Sequence, residues 1–177
     1  MFFLDEDTIN KHKEYVHSLK LKNSILIKSF PVLEGKNIAQ IAKIRINDDV
    51  KKEAMTTRGE IDLHEVYFES FSKERRVLND EAIKAEFGSV ANMLFELKRT
   101  SSKIRVGFCG IALGRKKLQI FACEDYYSIF FDSKPIIAID ICEHAYFKEY
   151  SFDKEGYLGK AIKYLNVNKI SEFCKRN

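Results

Sequence analysis

Apolar and polar positions recur at helical spacing through the first half of the chain, and strand-like runs come only later. Asp5 or Asp7 caps a first helix reaching to about residue 22, with Ile9, Val16 and Leu19 on its apolar face. Residues 30–36 break the pattern, because Pro31 biases Phe30 away from helix. A short helix fits residues 37–46. A long one fits residues 48–72, carrying Ile61, Leu63, Val66, Tyr67 and Phe68, with Gly59 as a weak point inside it. Residues 79–84 and 89–98 read as two further helices on either side of Phe87-Gly88-Ser89. The texture then turns to strands: residues 104–113, a turn at Gly114-Arg115-Lys116-Lys117, a partner strand at 118–123, and an apolar run at 135–141. Helical spacing returns at 157–165 and 170–175. Helices followed by a small antiparallel sheet with more helices make an α+β layout.

Composition narrows the class without naming a function. The chain has 177 residues, of which 45% are apolar and 32% charged, with only 8 Gly and 2 Pro. Collagen-like, low-complexity and wholly disordered chains are excluded. A net charge of +4 is too mild to imply nucleic acid, and it suits a small anionic substrate equally well. No stretch reaches the ~18 apolar residues of a membrane span, and the first residues turn acidic at Asp5, unlike a signal peptide. The four cysteines are widely spaced, with no C-x-x-C pair, so zinc-ribbon and thioredoxin readings fail. A cytoplasmic protein with reduced thiols is expected.

The candidate chemistry lies in the histidines and carboxylates. Asp140 and His144 leave the end of the last apolar run, where rigid neighbours can hold a carboxylate and an imidazole as metal ligands. His64 sits in a helix among residues that read as buried. The H-E-x-x-H zinc motif is absent, since Phe68 stands four residues after His64. Taken singly, each has a bland reading. His64 could be a hydrogen-bonded core imidazole, Asp140 a cap, and Glu65 and Glu143 solvated charges.

Together the motifs are specific. Asp140-Ile141-Cys142-Glu143-His144-Ala145-Tyr146-Phe147 resembles the D-x-W-E-H-A-Y-Y signature of iron/manganese superoxide dismutases. Thr8-Ile9-Asn10-Lys11-His12 is similar to the start of that family's first long helix, and Glu34-Gly35-Lys36 falls in register with its E-G-K turn. Leu63-His64-Glu65-Val66-Tyr67-Phe68 resembles the helix carrying the family's second histidine. Phe87-Gly88-Ser89 and Asp132-Ser133-Lys134-Pro135 match two further family segments. The resemblance implies a helical hairpin domain over residues 1–78 and an α/β domain with a three-stranded antiparallel sheet over 79–177. It also implies one iron or manganese ion per chain, held by His12, His64, Asp140 and His144, that converts superoxide to oxygen and hydrogen peroxide. His17, five residues after His12, is the competing candidate for the first ligand. Zinc also suits such ligands and could enter adventitiously. A homodimer is implied as well, in which Glu143 reaches the partner subunit's His144.

The surroundings of that ligand set depart from the family. The chain has no Trp, whereas family members wall the metal with several. Cys142 takes the place of the signature Trp, and Phe108 falls near another. Glu60 stands where iron-type members carry a Gln, Lys20 where the family has its gateway Tyr, Val16 where it has its gateway His, and Phe147 where the signature ends in Tyr. Glu60 leans towards iron-type members, since manganese types usually place Gly there. Glu60 and Lys20 are the residues expected to tune the metal, as a buried ion pair, with Val16 in apolar contact with Phe147. Glu60 has three open consequences. Ionised, it favours the higher oxidation state; protonated, it mimics the amide; swung onto the metal, it closes the site. Two functions remain from this stage: a dismutase, or a metal-binding protein of the same fold without efficient dismutation.

Overall fold

Asp5 starts the first helix by accepting the Thr8 backbone N–H, which satisfies one of the free donors at a helix N-terminus. The structure, a computed structural model, describes residues 3–73, 81–115 and 117–176. Helix α1 (Glu6–Ser29) runs past the expected end near residue 22, because nothing breaks it before Phe30 and Pro31. After one turn of 3-10 helix at Pro31–Leu33 come α2 (Ile38–Ile41), closed by an Asn37/Gln40 capping box, and α3 (Asp48–Phe68), capped by Asn47. Contacts step down α3 as they step up α1: His12 with His64, Tyr15 with Glu60, Lys22 with Glu53. The two helices therefore form a hairpin, sealed at its far end by Leu33, Ile38, Ile41, Ala54 and Met55.

The second half supplies α4 (Glu81–Phe87), α5 (Val90–Ser101), β1 (Phe108–Leu113), β2 (Leu118–Cys123), β3 (Lys134–Asp140), α6 (Phe147–Tyr150), α7 (Lys154–Lys163) and α8 (Asn168–Arg176). The three strands form one antiparallel sheet in the order β2-β1-β3. The α+β arrangement and the three-stranded sheet expected from the sequence are both present. Gly114 and Lys117 close the β1–β2 hairpin with a backbone hydrogen bond, while Lys116 of the expected turn lies outside the described residues. The expected domain boundary after residue 78 and the start of the helix expected at 79–84 fall in 74–80, also outside them.

Strand alternation decides which residues meet the hairpin. On β1, Cys109 and Ile111 join the larger core with Met93, Leu97, Tyr157 and Leu158, whereas Phe108 and Ala112 pack with Leu63 and Tyr67 of α3. On β3, Ile137 and Ile139 face the larger core and Ala138 faces α3. Asp140 shares the parity of Ala138 and pairs across the sheet with Phe108, so it too emerges towards α3. Ser70, just past α3, clamps the two layers together. Its hydroxyl donates to the Val66 carbonyl and accepts the Ala138 N–H at 2.9 Å.

Candidate metal centre

Four elements deliver one side chain each to the seam between hairpin and sheet. His12 comes from α1, His64 from α3, Asp140 from the last position of β3, and His144 from the single 3-10 turn Glu143–Ala145. That turn is set by Asp140 itself, whose Oδ1 accepts the Cys142 N–H at 2.9 Å. The Tyr157 hydroxyl donates to the Asp140 carbonyl at 2.9 Å and meets the Tyr67 hydroxyl at 3.2 Å, fixing the strand end from behind. His64 is oriented by its own helix: its Nδ1–H donates to the Glu60 carbonyl at 2.7 Å, which leaves Nε2 as a lone pair.

The potential ligand atoms of His12, His64, Asp140 and His144 all lie within 4.8 Å of one another. Asp140 Oδ2 is approached by His144 Nε2 at 2.8 Å, His12 Nε2 at 3.1 Å and His64 Nε2 at 3.3 Å. The side chains of His12, His64 and Asp140 are wholly buried, and that of His144 is 26% exposed. Yet His12 Nε2 and Asp140 Oδ2 have no hydrogen-bond partner of acceptable geometry. Buried polar atoms converging without well-formed hydrogen bonds are costly unless a cation lies among them. Three imidazoles and a carboxylate form a donor set suited to iron, manganese or zinc, so these residues fit a metal ion. Burial lowers the pKa of His12 against the pull of Asp140, favouring the neutral imidazole that ligation needs. Asp140 is held well below the usual carboxylate range, because the three imidazoles outweigh its burial. For His144 burial pulls downward, but the neighbouring Asp140 prevails and the net shift is upward.

Phe and Tyr wall the cluster. The Phe108 ring lies edge-on to His64 at 5.0 Å, and Tyr67 and Phe68 lie 5.0 Å and 5.1 Å from the His12 ring. Cys142 Sγ accepts the Gly107 N–H at 3.2 Å and lies 3.4 Å from the Tyr126 hydroxyl. Burial, reinforced by the charge of Asp140, pushes its thiol up to about 12, so it is a neutral partner in this network. His17 is exposed on α1, away from the cluster.

One expectation is overturned. Lys20 does not meet Glu60: its Nζ pairs with Glu65 Oε1 at 3.0 Å, and both side chains are more than half exposed. Two turns beyond His12, Lys20 lies on the solvated edge of the hairpin, where its ammonium keeps its hydration. Glu60 is buried, and its Oε1 instead accepts the Tyr15 hydroxyl at 2.6 Å. Tyr15, which the sequence reading missed, also stacks on the His144 ring at 4.1 Å. Its signal was the spacing of three residues from His12, which puts both on one face of α1. Tyr126 and Tyr157 were missed too, since neither belongs to a recognised motif. Val16 is buried as expected of an apolar replacement, whereas Phe147 is 42% exposed and packs edge-on against Phe152.

A family model, described as iron/manganese superoxide dismutases, C-terminal domain, matches residues 75–173, more than half of the chain. The match spans the sheet and includes Asp140 and His144, while His12 and His64 lie on the helices before it. With a helical N-terminal region, a three-stranded antiparallel sheet and this match in hand, the chain belongs to the iron/manganese superoxide dismutase family.

Proposed function

We propose that the protein is a superoxide dismutase-like metalloprotein that binds one iron or manganese ion through His12, His64, Asp140 and His144 and converts superoxide to oxygen and hydrogen peroxide. The observation that carries this reading is the convergence of four ligand atoms within 4.8 Å, two of them buried and without a hydrogen-bond partner. The bound ion would supply one-electron redox chemistry that these side chains lack. The chain's own residues shape the site around it. The Glu60 carbonyl and the Cys142 N–H orient His64 and Asp140. Phe108, Tyr67 and Phe68 keep bulk water from the buried side. Tyr15 and the partly exposed His144 mark the side from which a small anion would enter. Superoxide decay measured on the iron- or manganese-loaded protein tests this reading. Decay accelerated over the metal-free protein is expected, and metal-loaded protein without acceleration would leave the second reading, a metal-binding protein of this fold without efficient dismutation. Glu60, a buried carboxyl hydrogen-bonded beside the cluster, is the observation in favour of that second reading.

The finer organisation is proposed on the same basis. Residues 1–78 act as the helical unit and 79–177 as the α/β unit, with the metal between them. A homodimer is supported by Glu143, which is exposed beside the partly exposed His144, so a second copy can reach both. Widely spaced cysteines with no C-x-x-C pair support a reducing, cytoplasmic setting. Among the described residues no helix is long and apolar enough to cross a membrane.

A further inference from the structure

We propose that Tyr15 is a positioning residue that ties the Glu60 carboxyl to helix α1 and so keeps it off the metal, leaving a coordination position open to a small anion. The inference rests on the metal-site reading above and concerns how this chain solves a difficulty of its own making. Glu60 lies one helical turn before His64, and its carbonyl already holds the His64 Nδ1–H, so its side chain leaves α3 beside the cluster. The Tyr15 ring whose hydroxyl meets that carboxyl is stacked on His144, so the carboxyl stands beside the cluster. A carboxyl group in that position is itself a metal ligand of the same kind as Asp140. Rotation about its side-chain bonds could add a fifth protein ligand and close the site in the manner of a structural centre.

Two features of Tyr15 oppose that rotation. Its hydroxyl donates to Glu60 Oε1 at 2.6 Å, a short bond between an O–H donor and a carboxyl oxygen. Its ring is stacked on His144, with centroids 4.1 Å apart and planes 29° apart, so the hydroxyl cannot follow Glu60 towards the ligands without unstacking. Lys20 does not compete for Glu60, since its ammonium is engaged by Glu65. The four atoms that converge on one point do not include a Glu60 oxygen. Tyr15 thus acts on the metal site through Glu60.

The test is azide binding, followed by absorbance, to the full chain loaded with iron or manganese, with metal content measured beside it. Tyr15→Phe removes the hydroxyl and keeps the ring. Metal retained, with azide affinity reduced by about tenfold, is expected, the size of effect that loss of one strong hydrogen bond produces. Adding Glu60→Ala to Tyr15→Phe is expected to return the affinity to the wild-type value, because the competing carboxyl is gone. Should Tyr15→Phe fail to fold, Glu60→Ala alone decides: azide binding as tight as wild type or tighter is expected, and weaker binding overturns the proposal. Unchanged azide affinity in Tyr15→Phe, or no recovery in the double variant, also overturns it. Wild-type protein that takes up neither metal would instead bring down the metal-site reading, and this role with it.

Discussion

At the scale of single residues, the centre depends on which helix faces meet at the seam. His12 is buried in the cluster and His17 is exposed, although both lie on α1. His12→Ala is expected to abolish metal retention, whereas His17→Ala leaves it intact, as elemental analysis of the purified variants will show. Lys20 provides a control. Its pair with Glu65 is solvent-exposed, and such pairs contribute ~0–1 kcal/mol. Lys20→Ala is therefore expected to change neither metal content nor unfolding midpoint appreciably, and a lost metal would show that Lys20 reaches the site after all. The four positions that converge in the cluster were legible from local motifs, because each sits in a short run of family-like residues. Tyr15 was not legible, because the family's gateway position falls eight residues past His12, at Lys20, while the chain places its hydroxyl at a spacing of three. The hydrogen bond to Glu60 depends on helix geometry and on a pairing across 45 residues, which no local motif encodes.

At the scale of elements, the strands and turns carried clear signals. The run 118–123 became β2 at the expected bounds, because the turn at Gly114 and the apolar run both limit it. Boundaries set by tertiary contacts were less legible. The first strand was expected from residue 104 but begins at Phe108, after Gly107 at φ +94, a left-handed conformation that suits glycine. Gly59 read as a weakness in α3 because glycine is a poor helix former. In the structure it allows a close approach, since a Cβ there would lie 2.1 Å from the Tyr126 carbonyl oxygen. That approach places the Tyr126 hydroxyl beside Cys142. Gly59→Ala would force α3 and the Tyr126 segment apart, and overpacking of this kind typically costs ~1–3 kcal/mol. A lowered midpoint in chemical denaturation together with weaker metal retention is the expected outcome. An unchanged midpoint would show that the segment yields freely.

At the scale of the whole molecule, the hairpin and the sheet layer are joined by the groups that build the site, so metal binding and folding should be linked. A ligand that binds only the folded state adds ~2.7 kcal/mol at a hundredfold excess over its dissociation constant. Removing the metal by chelation is therefore expected to lower the thermal midpoint, and re-addition of iron or manganese to restore it in scanning calorimetry. Assembly belongs to the same scale. With a chain mass of 20.6 kDa, light scattering at twice that value is expected, and a reading at the single-chain mass would end the dimer proposal. The overall architecture was legible because helix and strand periods change in sequence order along the chain. The central claim is that His12, His64, Asp140 and His144 together hold a redox metal, and metal stoichiometry in the wild-type chain tests it most directly. About one tightly held iron or manganese ion per chain is expected, since the four ligand atoms form a single cluster. A well-folded wild-type chain that retains neither ion after reconstitution would contradict it.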